Sequence, residues 1–98
     1  MSDVQPTLLL SPEDNVLIAV VDLAEGNCVI DGDQRIVVRQ SVPFGHKLAR
    51  QSLSQNAKVI KYGAEIGSAK CDIASGEWVH LHNLQSDYIP TRSEGEVS

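Results

Sequence analysis

The sequence is poor in aromatic residues, in cysteine and in clustered basic residues. Phe, Trp and Tyr make up only 4% of its 98 residues, so its core must be aliphatic, and its abundant Val and Ile favour β-strands. The two cysteines, Cys28 and Cys71, lie far apart and in no CxxC pair, which indicates reduced, buried thiols rather than a disulfide scaffold or zinc ribbon. The net charge is −5 and the eight Lys and Arg residues form no run, which argues against a nucleic-acid partner.

Signals of targeting and of common enzyme classes are also missing. No apolar stretch is long enough for a signal peptide or a membrane span, so we expect a soluble cytoplasmic protein without a membrane partner. The sequence contains no Gly-rich phosphate loop, no GxSxG and no HExxH. A chain of this length forms one domain. We expect a flexible N-terminus at 1–6, a folded domain at 7–88 and a disordered polar tail at 89–98.

A degenerate repeat is the most informative internal feature. The segments DLAEGNCV, SLSQNAKV and DIASGEWV begin at Asp22, Ser52 and Asp72. Their shared fifth position holds Gly or Asn, the residue types that tolerate positive φ, so a left-handed turn is predicted there. The polar first residue of each copy can bond a turn amide through its side-chain oxygen. Three short strand–turn–strand units of this kind predict a compact all-β fold.

The segments between the repeats agree with this fold class. The apolar run at 16–21 is typical of a buried strand, and NCVI and QRIVV flank a turn-rich triplet as in a β-hairpin. Two more strands are predicted on either side of Gly63, and EWVHLH is the last strand. The segment FGHKLARQSL, residues 44–53, is predicted to form one short helix with Leu48 and Leu53 inward.

Two histidines stand one residue apart in the segment EWVHLHN at 77–83. If this segment is a strand, its alternation places Trp78, His80 and His82 on one face, and Val79 and Leu81 form the core pair. Imidazoles at i and i+2 can share a metal, but zinc or iron needs a third protein ligand. The simpler alternative, which the pattern alone favours, is a pair of surface histidines beside a tryptophan.

His46 is the other ionisable residue with two open interpretations. It follows Gly45 at the predicted helix start, where the helix dipole favours a neutral imidazole that could act as a base or ligand. The alternative is a histidine that caps or packs the turn. Tyr62 and Gly63 are expected to mark a strand bend, with Tyr62 more simply a core residue than a site residue.

Four segments together resemble the altronate/galactarate dehydratase family: DNVLIAVVDLAEG, VPFGHKLA, VIKYGAEIGSA and DIASGEWVHLHN. Their order and spacing are most similar to the altronate dehydratase side of the family, over about residues 8–88. The matching part of such proteins is the N-terminal SAF domain. The resemblance therefore implies a single SAF-like β-clip domain, mainly β with one short helix.

The resemblance also implies a function. Family members dehydrate sugar acids such as altronate or galactarate to 2-keto-3-deoxy acids with a divalent metal, usually iron, and the related sulfolactate sulfo-lyases eliminate sulfite. We therefore expect a small subunit, favoured by the polar end RSEGEVS, or an N-terminal domain that supports elimination on a large catalytic subunit. It would not be catalytic alone and would need no cofactor of its own. A non-catalytic assembly or dimerisation module, including a homodimer, stays open, as do a sulfo-lyase small subunit and a carbohydrate- or metal-binding module.

The family motifs assign roles to six residues of this chain. GHK places His46 and Lys47 as site-contributing catalytic residues, and YG and VHLHN place Tyr62 and Asn83 as substrate contacts. His80 and His82 are placed as metal ligands that a partner must complete. Trp78 stands where altronate-type members commonly have a third histidine.

Overall fold

Residues 6–86 are described by a computed structural model, and they fold into nine short β-strands. These are β1 (Thr7–Leu8), β2 (Val16–Ala19), β3 (Cys28–Asp31), β4 (Gln34–Val37), β5 (Lys47–Ala49), β6 (Lys58–Lys61), β7 (Ala64–Ala69), β8 (Trp78–Val79) and β9 (Leu84–Gln85). All pairings between them are antiparallel. They form a four-stranded sheet in the order β1-β2-β5-β8, the hairpin β3-β4 and the sheet β6-β7-β9. The all-β prediction is confirmed, and the form is consistent with a small β-clip SAF domain.

The predicted repeat is a set of left-handed turns, and the described residues contain one copy more than the three that were predicted. The expected positions Gly26, Asn56 and Gly76 have φ of 92°, 74° and 88°. The additional copy is SVPFGHKL at 41–48, in which Gly45 has φ of 85°. We call the segments 22–29, 41–48, 52–59 and 72–79 the four repeat turns.

The repeat turns associate in two pairs. Leu23 bridges Val42 across the first pair, and Leu53 bridges Ile73 across the second. In each pair an aspartate at the first position accepts a bond from an amide of the opposite turn: Asp22 Oδ1 from Phe44 N, and Asp72 Oδ1 from Gln55 N, both at 2.8 Å. Two of the three predicted side-chain bonds, those of Asp22 and Asp72, are therefore present, and each stabilises the paired turn rather than its own.

The four-stranded sheet lies between two aliphatic cores. On one face, Leu17 and Leu48 belong to a cluster with Ala19, Leu23, Val29, Ile36, Val38 and Val42. On the other face, Val16, Ala49 and Val79 belong to a cluster with Leu53, Val59, Ala69 and Ile73. Strand alternation produces this division, because neighbouring residues of β2, β5 and β8 face opposite sides. The run at 16–21 reads as uniformly apolar because its strand is covered on both faces.

Asp14 and Asn15, just before β2, anchor the β6–β7 hairpin to the sheet. The buried Asp14 carboxylate accepts bonds from the amides of Tyr62 and Gly63, both at 2.8 Å. Asn15 Oδ1 accepts from Ile60 N at 2.8 Å, and its Nδ2 donates to a carbonyl of the same strand. The chain reverses at Tyr62 and Gly63 with φ of 58° and 74°, so the predicted bend at this point is confirmed. The hairpin tip is thus fixed to the central sheet.

The predicted helix at 44–53 is wrong, since the described residues contain strands but no helix. The additional repeat turn at 41–48 occupies the start of this segment. Its end runs into β5, which pairs with β2 and β8. Leu48 and Leu53 are buried as expected, but they lie in a strand and in the next repeat turn. Within 6–86 there is accordingly no helix long and apolar enough to cross a membrane.

Two burial predictions are also wrong. Cys28 and Cys71 are both exposed thiols. In β3 the alternation turns Val29 inward and its neighbours outward, so Cys28 faces solvent. The expected core position of Tyr62 fails because the residue sits at the hairpin tip and is 75% exposed. Apart from Pro6, the predicted flexible N-terminus lies outside the described residues, as does the predicted tail at 89–98.

Candidate functional site

The register between β5 and β8 brings His46 and His80 together. Leu48 pairs with Trp78 and Lys47 pairs with Val79, so one further step along the same register sets His46 opposite His80. Side chains at directly opposed positions lie within contact distance on one face of a sheet. The imidazole centroids of His46 and His80 are 4.8 Å apart. Two histidines that are distant in the chain thus form one feature of the surface.

Trp78 joins the third histidine to this pair. Its indole stacks on His80, with centroids 5.0 Å apart and planes 7° apart, and contacts the exposed His82 at 5.3 Å. Its Nε1–H donates to His46 Nδ1 across 3.2 Å. Its ring also packs against the first core cluster. We call His46, Trp78, His80 and His82 the imidazole–indole cluster.

A tight turn at 80–83 carries two of the clustered rings. The buried Asn83 closes it: Oδ1 accepts from His80 N at 2.9 Å, and Nδ2 donates to Trp78 O at 2.8 Å. The Lys70 ammonium donates to Leu81 O at 2.7 Å from outside. The turn explains why Leu81 is 72% exposed and is not the core partner of Val79 that alternation predicted. Alternation holds only for the two residues of β8, since the chain reverses immediately after them.

Lys47 and His80 both have pKa values below their ordinary ones. Burial, followed by the charge of Lys61, lowers the pKa of the half-buried Lys47 ammonium. The pKa of the His80 imidazole is lowered by burial first, and then by its neighbours His46, Lys47 and His82. Burial disfavours the charged form of both groups, and like charge adds to the effect. Both groups therefore favour their neutral forms more than an ordinary lysine or histidine does.

The structure does not gather all six predicted site residues into one place. His80 and His82 share the imidazole–indole cluster with His46. Lys47, the next residue along, pairs with Val79 and faces the other side of the sheet. Among residues 6–86, no hydrogen bond or ring contact connects the Tyr62 side chain with these rings. Asn83 closes the turn that carries His80 and His82, with its oxygen and its nitrogen each bonded to backbone. The catalytic, substrate and metal roles of the six residues stay predictions.

The histidines by themselves do not fit a metal ion. No group of three His, Cys, Asp or Glu side chains in the described part of the chain is arranged to hold one. His46 Nδ1 is occupied by the indole N–H, and the other two imidazoles contact the indole ring. A metal at His80 and His82 therefore needs ligands from outside residues 6–86.

Trp78 and Asn83 were the residues whose structural roles the sequence did not reveal. The expected grouping of Trp78 with His80 and His82 is present, although a turn rather than a continuing strand carries the two histidines. The bond of Trp78 to His46 depends on pairing between distant strands. The fifth-position Gly45, which matches the three repeats, was the available signal that His46 precedes a strand rather than a helix.

Comparison with known proteins gives consistent matches. A family model described as the altronate/galactarate dehydratase SAF domain matches residues 5–87. Altronate dehydratase of Escherichia coli (strain K12) is 47% identical over 74 residues, which cover 76% of this chain and 15% of that protein. The (2R)-sulfolactate sulfo-lyase subunit alpha of Chromohalobacter salexigens is 36% identical over 81 residues, which cover 76% of this chain and 86% of that subunit. The matched region is thus a small part of one relative and most of the other.

Proposed function

The chain belongs to the altronate/galactarate dehydratase SAF domain family, and from that premise we propose that it supports elimination of water from a sugar acid on a larger catalytic partner. The partner is a large subunit or the remainder of a longer chain. The similarity to an altronate dehydratase supports a sugar acid as the substrate. The similarity to a lyase subunit of comparable length supports action beside a separate large subunit. We place this complex in the cytoplasm, where the other enzymes of sugar-acid breakdown would share its substrates.

The observation that carries the proposal is the imidazole–indole cluster. These side chains come from β8 and from the turns beside β5 and β8, which the sheet and Asn83 hold in position. Preorganised donors of this kind stabilise negative charge without reorganising during a reaction. A sugar acid supplies that charge on its carboxylate, and the charge spreads onto the same group when the neighbouring carbon loses a proton.

The proposed reaction is a β-elimination. A base removes the proton from the carbon next to the carboxylate, the C–O bond at the following carbon breaks, and water leaves. The resulting enol becomes the 2-keto-3-deoxy acid. We assign the base and a divalent metal, iron by the family resemblance, to the partner, because the described residues offer no complete ligand set. His46 binds the substrate anion in this scheme, and Lys47 stays a candidate site-contributing residue. Tyr62 and Asn83 stay candidate substrate contacts, and His80 and His82 stay candidate ligands that the partner completes.

The test is reconstitution with a large dehydratase subunit from the same organism. Turnover of altronate and galactarate would be followed as 2-keto-3-deoxy acid, and turnover of sulfolactate as released sulfite, with each component alone and with both together. We expect sugar-acid turnover only when both are present. Turnover by the large subunit alone at the full rate would refute the proposal, and sulfite release would transfer it to the sulfo-lyase reaction.

A second candidate function is assembly without a part in the chemistry. Two large apolar side chains lie close to the histidines in the chain and are open to solvent: Phe44 is 66% exposed and Leu81 is 72% exposed. This alternative assigns both side chains to the contact with the partner. Under this alternative, a His80→Ala/His82→Ala double variant assembles and turns over normally, and Leu81→Ser alone weakens assembly. Loss of turnover in the double variant with assembly intact would exclude it.

A further inference from the structure

The bond between Trp78 and His46 fixes which nitrogen of His46 carries the proton. An indole N–H only donates, so His46 Nδ1 must be the unprotonated acceptor in this arrangement. A neutral imidazole has one N–H, which then lies on Nε2. His46 held in this way offers a hydrogen-bond donor at Nε2 and no lone pair there.

A second, independent feature explains why the His46 ring is available for this bond. In two other repeat turns, the side chain at the sixth position accepts a bond from the amide at the third position: Asn27 Oδ1 from Ala24 N at 2.9 Å, and Glu77 Oε1 from Ala74 N at 2.5 Å. His46 occupies the sixth position of its own turn. The third position there is Pro43, which has no N–H to be satisfied.

The ring is therefore released from the turn and directed to Trp78. Within residues 6–86, the imidazole of His46 makes no hydrogen bond other than the one to the indole. The ring is half-buried and lies beside His80, so its outer nitrogen is open to a ligand rather than to the protein. A carboxylate or hydroxyl oxygen accepts from such an N–H, whereas a metal ion or an acidic C–H proton needs the lone pair that it lacks.

We propose that Trp78 is a positioning residue that holds His46 as a neutral Nε2–H donor toward an oxygen of an anionic sugar-acid ligand, and not as a base or a metal ligand. The ligand class rests on the proposed function, but the protonation pattern of His46 does not. The indole does two things in this assignment. The indole N–H of Trp78 fixes the tautomer of His46. The stack of Trp78 on His80 fixes the plane of the indole, and so the direction in which the N–H points.

The first measurement is made on the full chain labelled with nitrogen-15, at about pH 8, where an ordinary histidine with a pKa near 6.5 is neutral. We expect a scalar coupling across the Trp78 Nε1–H···Nδ1 His46 bond, with an indole proton that exchanges slowly. We also expect His46 to show a proton only on Nε2. Absence of the coupling together with a proton on Nδ1 would overturn the proposal, whether or not an active complex can be assembled.

The second measurement uses Trp78→Phe, which keeps an aromatic ring for the core and removes the N–H. Losing one oriented donor to a charged oxygen should raise KM roughly tenfold in the reconstituted complex while kcat changes less. The matched control is Asn27→Ala, which removes the sixth-position bond of another repeat turn and should leave KM unchanged. Should Trp78→Phe keep the wild-type KM with unaltered assembly, the positioning role is refuted. If the wild-type complex is inactive, the proposed function fails, and the coupling still decides the state of His46.

Discussion

Replacing Asn83 by Ala should destabilise the domain through the turn that carries the histidines. Asn83 is 3% exposed, and its side chain supplies one acceptor to His80 N and one donor to Trp78 O. Alanine removes both of these groups at once. The amide and the carbonyl that they satisfied then lie beside a small cavity that the chain cannot easily fill.

The expected magnitude follows from these two bonds. A typical intramolecular hydrogen bond contributes about 1 kcal/mol net, and a buried group left without its partner costs about 1–3 kcal/mol. Because His80 is only half-buried, water can reach part of the exposed backbone. We therefore expect the free energy of unfolding to fall by about 2–4 kcal/mol, a large share of the roughly 5–15 kcal/mol typical of a domain.

Two other asparagines provide matched controls for the same substitution. Asn15 also makes one bond through each end of its amide, to the backbone of β6, and is 8% exposed. Asn27 makes one exposed bond within its own repeat turn. Urea unfolding should rank Asn83→Ala and Asn15→Ala as similar losses, with Asn27→Ala costing under about 1 kcal/mol. Only Asn83→Ala should also accelerate exchange of the indole proton of Trp78.

The ranking is what can refute the reasoning. If Asn83→Ala costs no more than Asn27→Ala, the two bonds do not stabilise the turn. If Asn83→Ala and Asn15→Ala affect the indole proton equally, the effect on the imidazole–indole cluster is not local.

Two further predictions concern a glycine and a histidine. Gly76→Ala would place a Cβ 2.0 Å from Val37 O, whereas Gly26→Ala, at a similar positive φ, would meet nothing within 4 Å. In both variants the strained left-handed backbone should lower the free energy of unfolding by about 1 kcal/mol. In Gly76→Ala the clash should lower it by at least about 2 kcal/mol more, as measured by urea unfolding. Equal losses in the two variants would contradict the close approach of Gly76 to Val37. The pKa of His80 is lower in the folded protein than the ordinary histidine value of about 6.5. Near and just below that pH the unfolded chain therefore binds more protons than the folded one. The stability of the fold should accordingly fall as the pH drops through about 6.5. Urea unfolding at a series of pH values should show a smaller loss of stability for His80→Asn, and an unchanged pH dependence would contradict this assignment. His46→Ala should raise the pKa of His80, as measured by NMR, because His46 is one of the neighbours that lower it.

The all-β class and the left-handed turns could be predicted because they depend on local chemistry. Gly26, Asn56 and Gly76 belong to the few residue types that accept positive φ, so their shared position was informative by itself. The β3–β4 hairpin was equally local, with a turn-rich triplet between two short apolar segments. These features need no knowledge of distant parts of the chain.

The errors arose where pairing between distant strands overrides local spacing. Leu48 and Leu53 were assigned to a helix because the pairing of β5 with β2 and β8 cannot be read from residues 44–53. Leu81 was assigned to the core because the length of β8 depends on the turn that Asn83 closes. Strand alternation predicts a face only for as long as the strand continues.

The candidate site was predicted in part for the same reason. The grouping of Trp78 with His80 and His82 was expected from alternation, but the turn after β8 produces it. The approach of His46 followed from no local pattern, since it needs the register that pairs Lys47 with Val79. The family resemblance selected His46 as a site residue, but only the fold shows that its Nδ1 is already bonded.

The central claim is that this domain contributes donors from the imidazole–indole cluster to a reaction carried out with a larger partner. Its most direct test is kcat/KM for the sugar acid in the reconstituted complex with His46→Ala, measured at equal assembly. Asn27→Ala is the matched control, because Asn27 holds the same position in another repeat turn. Loss of a donor to a charged oxygen predicts a decrease of roughly 10- to 100-fold for His46→Ala and less than about twofold for Asn27→Ala. A kcat/KM for His46→Ala within about twofold of wild type would contradict the account.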